Sequence, residues 1–105
     1  MLQAKILNLR TDEFREIILS PELNPCGECI IGRHPNCDLI LDSPEVSDFH
    51  AKIVCHSGEY LLSDLNSTQG CRLNNYSLQL NENYILERED ALYIGNFLFL
   101  IQEIE

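Results

Sequence analysis

The sequence predicts an all-β fold, an antiparallel β-sandwich of about ten to eleven short strands forming one domain over residues 1–105. Two observations predict it. Apolar residues recur in runs of roughly four to eight, several of them alternating with polar ones, and Gly, Pro, Asn, Asp and Ser cluster between the runs. No stretch keeps a helical period long enough to form a convincing helix.

In chain order, AKILNL (4–9) reads as the first strand and REIILS (15–20) as the second, separated by the turn RTDEF. The segment PELNPCGE, with two prolines and a glycine, reads as a loop. CIIG (29–32) and DLIL (38–41) flank the turn RHPNC. HAKIVCH (50–56) and EYLLSDL (59–65) read as a hairpin across Ser57-Gly58. After the turn NSTQG, CRL (71–73) leads into Asn74-Asn75, a residue type that tolerates positive φ in a two-residue hairpin loop. YSLQL, YILER, ALYIG and FLFLIQEI complete the series. YILERED is too short a candidate helix to outweigh its β context and reads as strand and turn. NFLFLI would be an aggregation hazard if exposed, so it is expected as a central or terminal strand with one face buried.

At 105 residues and 45% hydrophobic content the chain is long and apolar enough for one packed core. Seven basic against 17 acidic residues give a formal charge of −10. That balance excludes a basic footprint for nucleic acid and disfavours an anionic membrane surface. It fits a protein partner better, and a basic one best. MLQAKILNLR lacks the basic start and apolar stretch of a secretory leader, and five cysteines are an odd number for a disulfide scaffold. A reducing compartment, the cytoplasm, is expected.

Three inter-strand segments concentrate the polar chemistry: Gly32-Arg33-His34, Val46-Ser47-Asp48-Phe49-His50 and Asp64-Leu65-Asn66-Ser67-Thr68-Gln69-Gly70. Loops gather at the ends of a sandwich. An Arg fork, Ser and Thr hydroxyls and turn N–H groups converging there would form an oxyanion-binding patch.

The motifs GRHPNCDLIL, VSDFHAKI, YLLSDLNSTQG and YIGNFLFLI, in this order, resemble the forkhead-associated (FHA) domain over nearly the whole chain. The resemblance implies an FHA/SMAD-like sandwich acting as a non-catalytic interaction module that binds extended phosphothreonine peptides, with no cofactor and no metal. It implies that Arg33 donates to the phosphate or peptide backbone and that Ser47 hydrogen-bonds the phosphate. Thr68 would contact the phosphate or the backbone of that residue. Gln69 stands where an Asn usually holds the peptide main chain, and its extra methylene moves the amide. His50 would brace the loops from inside, and Gly32 and Gly70 would supply turns that need no Cβ. The residues keep plainer readings beside these: Arg33 as a strand-end cation, Ser47 as a cap of its turn, Ser67 and Thr68 as turn-holding hydroxyls.

Asp48 departs from the family pattern, in which Arg or Asn donates to the ligand at that position. An ionised Asp cannot donate. It also faces a phosphate of about −1.5 to −2 charge. Repulsion of roughly 1–3 kcal/mol and a lost charge-assisted hydrogen bond of roughly 1.5–3 kcal/mol predict an affinity lower by two decades or more. Asp48 is also expected to pair with Arg33 or Lys52. Glu45 adds acidity to the mouth and predicts a preference for a basic residue near the phosphothreonine. The alternative function is a degenerate FHA domain that binds its partner without phosphate. A third reading takes Cys26-Gly-Glu-Cys29 as a redox pair, or Cys26, Cys29, His34 and Cys37 as a zinc knuckle. A strand rather than a helix follows the CGEC motif, and strand alternation spreads the knuckle residues over opposite faces, so neither zinc nor a Cys26–Cys29 disulfide is expected. Hydrolase chemistry from Ser47 and His50 is rejected, because His50 is expected to face the scaffold.

Overall fold

A computed structural model describes residues 1–20 and 27–105 of the chain. Among the described residues eleven strands are present: β1 (Leu2–Asn8), β2 (Phe14–Leu19), β3 (Glu28–Gly32), β4 (Leu39–Ile40), β5 (Ala51–His56), β6 (Glu59–Asp64), β7 (Cys71–Leu73), β8 (Tyr76–Ser77), β9 (Tyr84–Ile85), β10 (Ala91–Ile94) and β11 (Phe97–Ile104). They form two sheets, ordered β2-β1-β11-β10-β7-β8 and β4-β3-β5-β6-β9.

Period-two alternation decides which side chains enter the core. Leu2, Ala4 and Ile6 of β1 and Phe97, Phe99 and Ile101 of β11 face inward from the first sheet. Ile31, Ala51, Ile53, Tyr60 and Leu62 meet them from the second. Each large side chain buried this way contributes about 1.5–3 kcal/mol of transfer free energy. The apolar strand NFLFLI is central, with β11 paired to both β1 and β10, and its outer face keeps Leu100 39% exposed.

Two details correct the sequence reading. Most pairs are antiparallel, as expected, but β3 and β4 run parallel, with Ile31 opposite Leu39 and Gly32 opposite Ile40. Parallel neighbours ordinarily need a crossover of about a dozen residues or more. Here β4 is only two residues long, and the 33–38 loop curls back so that the Leu41 N–H donates to the Gly32 carbonyl at 2.8 Å. The segments YSLQL and YILER also supply only two strand residues each. Leu78 instead drops into the core, and the Gln79 N–H donates to the Tyr84 hydroxyl. Asp90 accepts from the Glu87 N–H, which closes the ERED turn. Asn74 takes φ 54° between β7 and β8, as its place in the hairpin requires.

Candidate functional site

The three polar segments meet at one end of the sandwich, and backbone pairing brings two of them together. The Arg33 N–H donates to the Ser47 carbonyl (3.0 Å), the His34 N–H to the Asp48 carbonyl (3.1 Å) and the His50 N–H to the Ile31 carbonyl (2.8 Å). The Cys37 thiol donates to the same Asp48 carbonyl at 3.1 Å. The two chains run so close at Gly32 that a Cβ there would overlap the Asp48 carbonyl group. Gly32 is therefore needed for approach rather than for its φ.

His50 joins the third segment. It is fully buried, and its Nδ1 accepts from the Ser47 N–H at 3.0 Å. Nδ1 as acceptor puts the proton on Nε2, which donates to the Gly70 carbonyl at 2.8 Å. The Leu65 N–H donates to the His50 carbonyl, so one residue ties the Ser47 segment to both ends of the 65–70 loop. Within that loop the Ser67 N–H donates to Asp64 Oδ1 and the Gly70 N–H to Ser67 Oγ. Gly70 takes φ 78° with open space at its Cβ position, so its glycine serves conformation alone. His50→Ala leaves the Ser47 N–H and the Gly70 carbonyl without buried partners, a loss of about 2–3 kcal/mol. Thermal melts of the variant should show that loss; unchanged stability together with lost ligand binding would contradict a bracing role.

The rim above this brace presents Arg33, Ser47, Asp48, Thr68 and Gln69. The Thr68 N–H donates to Ser47 Oγ at 3.0 Å. A hydroxyl has two lone pairs and one proton, so Ser47 Oγ accepts from Thr68 and still has a proton to donate. Thr68 and Gln69 are exposed. Arg33 Nε lies 3.6 Å from Asp48 Oδ1, with the two side chains 45% and 60% exposed. That separation is an ion pair without a hydrogen bond, and such exposed pairs are worth about 0–1 kcal/mol. Lys52, the other cation considered for Asp48, instead pairs with Glu28 at 3.8 Å. Glu45 meets Arg10, from the β1–β2 loop, at 2.9 Å.

Several residues of the quoted motifs make contacts that the motifs do not announce. Cys37 carries no family signature, yet its thiol anchors the Asp48 backbone. Asn96, in the β10–β11 turn, accepts from the Ser43 hydroxyl and donates to Asn8 Oδ1, which links the base of the Glu45 turn to the opposite sheet. The ring of Phe49 stacks on His34 with centroids 4.9 Å apart. None of these contacts is coded by local spacing.

The other chemistries are met by geometry. His50 has both ring nitrogens on backbone groups, so it is not positioned to activate the Ser47 hydroxyl. Of the CGEC pair, Cys26 lies outside the described residues. Burial, then nearby Asp38, pushes the Cys29 thiol up to about 12, and burial raises Cys37 as well. Both thiols are held toward the protonated form, which disfavours them as nucleophiles. His34 Nδ1 accepts from the Asn36 N–H. A different grouping, His50, Asp64 and Cys71, brings donor atoms within 4.8 Å of one another. Its atoms are engaged internally: Nε2 on Gly70, and Asp64 Oδ1 on Ser67 and the Cys71 thiol, which burial raises far above its usual range.

Fold and rim together define a small β-sandwich recognition domain whose loops bring Arg33, Ser47, Asp48, Thr68 and Gln69 to one end. The chain belongs to the FHA family: the FHA domain model matches residues 29–95. Among curated relatives, it is 33% identical over 66 residues to an oxoglutarate dehydrogenase inhibitor of Corynebacterium efficiens, covering 63% of this chain and 44% of that protein. It is equally 33% identical over 66 residues to the glycogen accumulation regulator GarA of Mycolicibacterium smegmatis, covering 63% of this chain and 40% of that one. The chain thus spans under half the length of these relatives. Among solved structures, the FHA domain of the CT664 protein from Chlamydia trachomatis superposes with a TM-score of 0.81 at 23% identity, covering 99% of this chain and 98% of that one. The N-terminal FHA domain of S. cerevisiae Rad53p, solved with a phosphothreonine peptide, gives a TM-score of 0.76 at 23% identity, covering 100% and 94%. At these identities the two structures establish the shared fold.

Proposed function

We propose that this chain is a non-catalytic interaction module that recognises an extended phosphothreonine-bearing segment of a protein partner at the Arg33–Ser47–Thr68 rim. The observation that carries the reading is the Thr68 N–H held on Ser47 Oγ at 3.0 Å, with Arg33 hydrogen-bonded through its backbone to Ser47. This arrangement supports one hydroxyl, one guanidinium and one loop converging on an anion from three sides. The Ser47 hydroxyl and the Arg33 fork meet the phosphate oxygens, Thr68 lies against the phosphothreonine, and Gln69 reaches the peptide backbone. His50, Gly32 and Gly70 hold the loops in register. Buried free thiols at Cys29, Cys37 and Cys71 support a reducing, cytoplasmic setting. The net charge of −10 argues against nucleic acid and anionic membranes as partners.

A second reading has its own observation. Asp48 stands 3.6 Å from the Arg33 guanidinium, and that favours a rim that holds a partner without phosphate. Matched phosphothreonine and threonine peptide libraries, titrated against wild type and Arg33→Ala, separate the two. The first reading expects binding to the phosphorylated set only and a loss of about tenfold or more in the variant, since hydrogen bonds to charged groups are worth about 1.5–3 kcal/mol. Equal binding of both sets, undisturbed by Arg33→Ala, establishes the second.

A further inference from the structure

We propose that Asp48 and Phe49 together form a seat for an arginine side chain of the bound segment, so that the rim selects phosphothreonine segments carrying a nearby arginine. The inference rests on the reading of the rim as a phosphothreonine site and names a requirement within it.

Phe49 is 45% exposed on a rim otherwise made of polar groups, and it is absent from the hydrophobic core. Its ring is not loose. It stacks on the imidazole of His34 with a centroid separation of 4.9 Å and an interplanar angle of 26°. One face of the ring is thereby covered. The neighbouring Asp48 carboxylate is 60% exposed and meets Arg33 only at 3.6 Å, beyond hydrogen-bond reach, while the Asp48 backbone is pinned by His34 and Cys37. An exposed aromatic ring next in the chain to a weakly committed carboxylate suits a planar cation. A guanidinium can lay its face on the ring while its edge donates to the carboxylate. A lysine ammonium, a compact and strongly hydrated point charge, gains the charge interaction and little of the stacking. The molecule already uses such a pairing on its own surface, where the Arg72 guanidinium sits 4.0 Å from the Tyr93 ring centre.

The charge arrangement favours the same occupant. Glu45, the other acid at the mouth, is taken by Arg10 at 2.9 Å, which leaves Asp48 as the rim carboxylate with the looser partner. Arg33 and Asp48 face each other loosely before binding, 3.6 Å apart. A ligand carrying both a phosphate and an arginine allows an exchange: its arginine takes Asp48, and Arg33 turns to the phosphate. Each charge keeps an opposite partner throughout. A phosphate arriving alone must draw Arg33 away and leave Asp48 facing like charge. Asp48 therefore acts as a specificity-determining residue, costly for one class of ligand and favourable for another.

The test is a set of phosphothreonine peptides with arginine placed at each flanking position in turn, compared with lysine, with alanine and with citrulline, the neutral planar isostere of arginine. At one position arginine should bind roughly tenfold tighter than citrulline, with lysine between them. In Asp48→Asn the arginine-over-citrulline advantage should fall to the few-fold that the Phe49 ring alone supplies. In Phe49→Ala, an exposed substitution expected to leave folding intact, the arginine-over-lysine advantage should vanish. Arginine no better than citrulline at every position, or an advantage that survives both substitutions, overturns the seat. Phosphate dependence without an arginine preference sinks the seat alone. An arginine preference indifferent to phosphorylation keeps the seat and overturns the phosphate reading beneath it.

Discussion

Asp48→Arg should raise affinity for an arginine-free phosphothreonine peptide by roughly 10- to 100-fold, and Asp48→Asn by a smaller factor. The Asp48 carboxylate lies 3.6 Å from Arg33, so in the wild type it both repels the phosphate and competes with it for the guanidinium. The Asn change removes that charge and adds a donor; the Arg change adds a second cation as well. Because the pair is largely exposed, with side chains 45% and 60% accessible, the charge component is screened by salt. The gain from Arg should therefore shrink as salt is added, and the gain from Asn should shrink less. Titration of wild type and both variants at two salt concentrations checks this. If neither substitution strengthens binding, Asp48 does not restrain a phosphate site.

Gly32→Ala should cost about 2–4 kcal/mol and lower the melting temperature by roughly 10–25 °C. The added Cβ would be driven into the Asp48 carbonyl, which accepts from both the His34 N–H and the Cys37 thiol and so is held in place. Relief requires the Ser47–His50 segment to lift off β3, with loss of the Arg33–Ser47 and His34–Asp48 hydrogen bonds. Gly70→Ala is the control: it has open space around the Cβ and suffers only from φ 78°, a cost of about 1–2 kcal/mol. Calorimetric melts should rank the two in that order. A Gly32→Ala protein that melts with the wild type would mean that the two loops separate freely.

The strands were legible because their signal is local. Alternation in HAKIVC and EYLLSD, and the Ser57-Gly58 turn between them, specify both a strand pair and its register. The parallel β3–β4 pair was not legible, because nothing local in DLIL distinguishes a two-residue return strand from an ordinary antiparallel one. The rim segments stood out by composition, and their family order told which loops share an end of the sandwich. What escaped was tertiary. Arg10 lies 35 positions from Glu45, and Asn96 lies 88 positions from Asn8. His34 and Phe49 meet only because Gly32 lets their segments run side by side. The acidity of Glu45 could be read from the sequence, but its neutralisation by Arg10 could not.

The central claim is that an anion binds between Arg33, Ser47 and Thr68, and amide chemical shifts during a peptide titration test it most directly. The Thr68 N–H, held on Ser47 Oγ at 3.0 Å, reports on any new partner of that hydroxyl, and the Arg33 Nε–H reports on its release from Asp48. With a phosphothreonine peptide, the Ser47, Thr68 and Arg33 signals should move together and saturate at one ligand per chain, while the unphosphorylated peptide leaves them in place. Shifts at these three residues that are the same with and without phosphate, or that appear only elsewhere on the sandwich, would contradict the account.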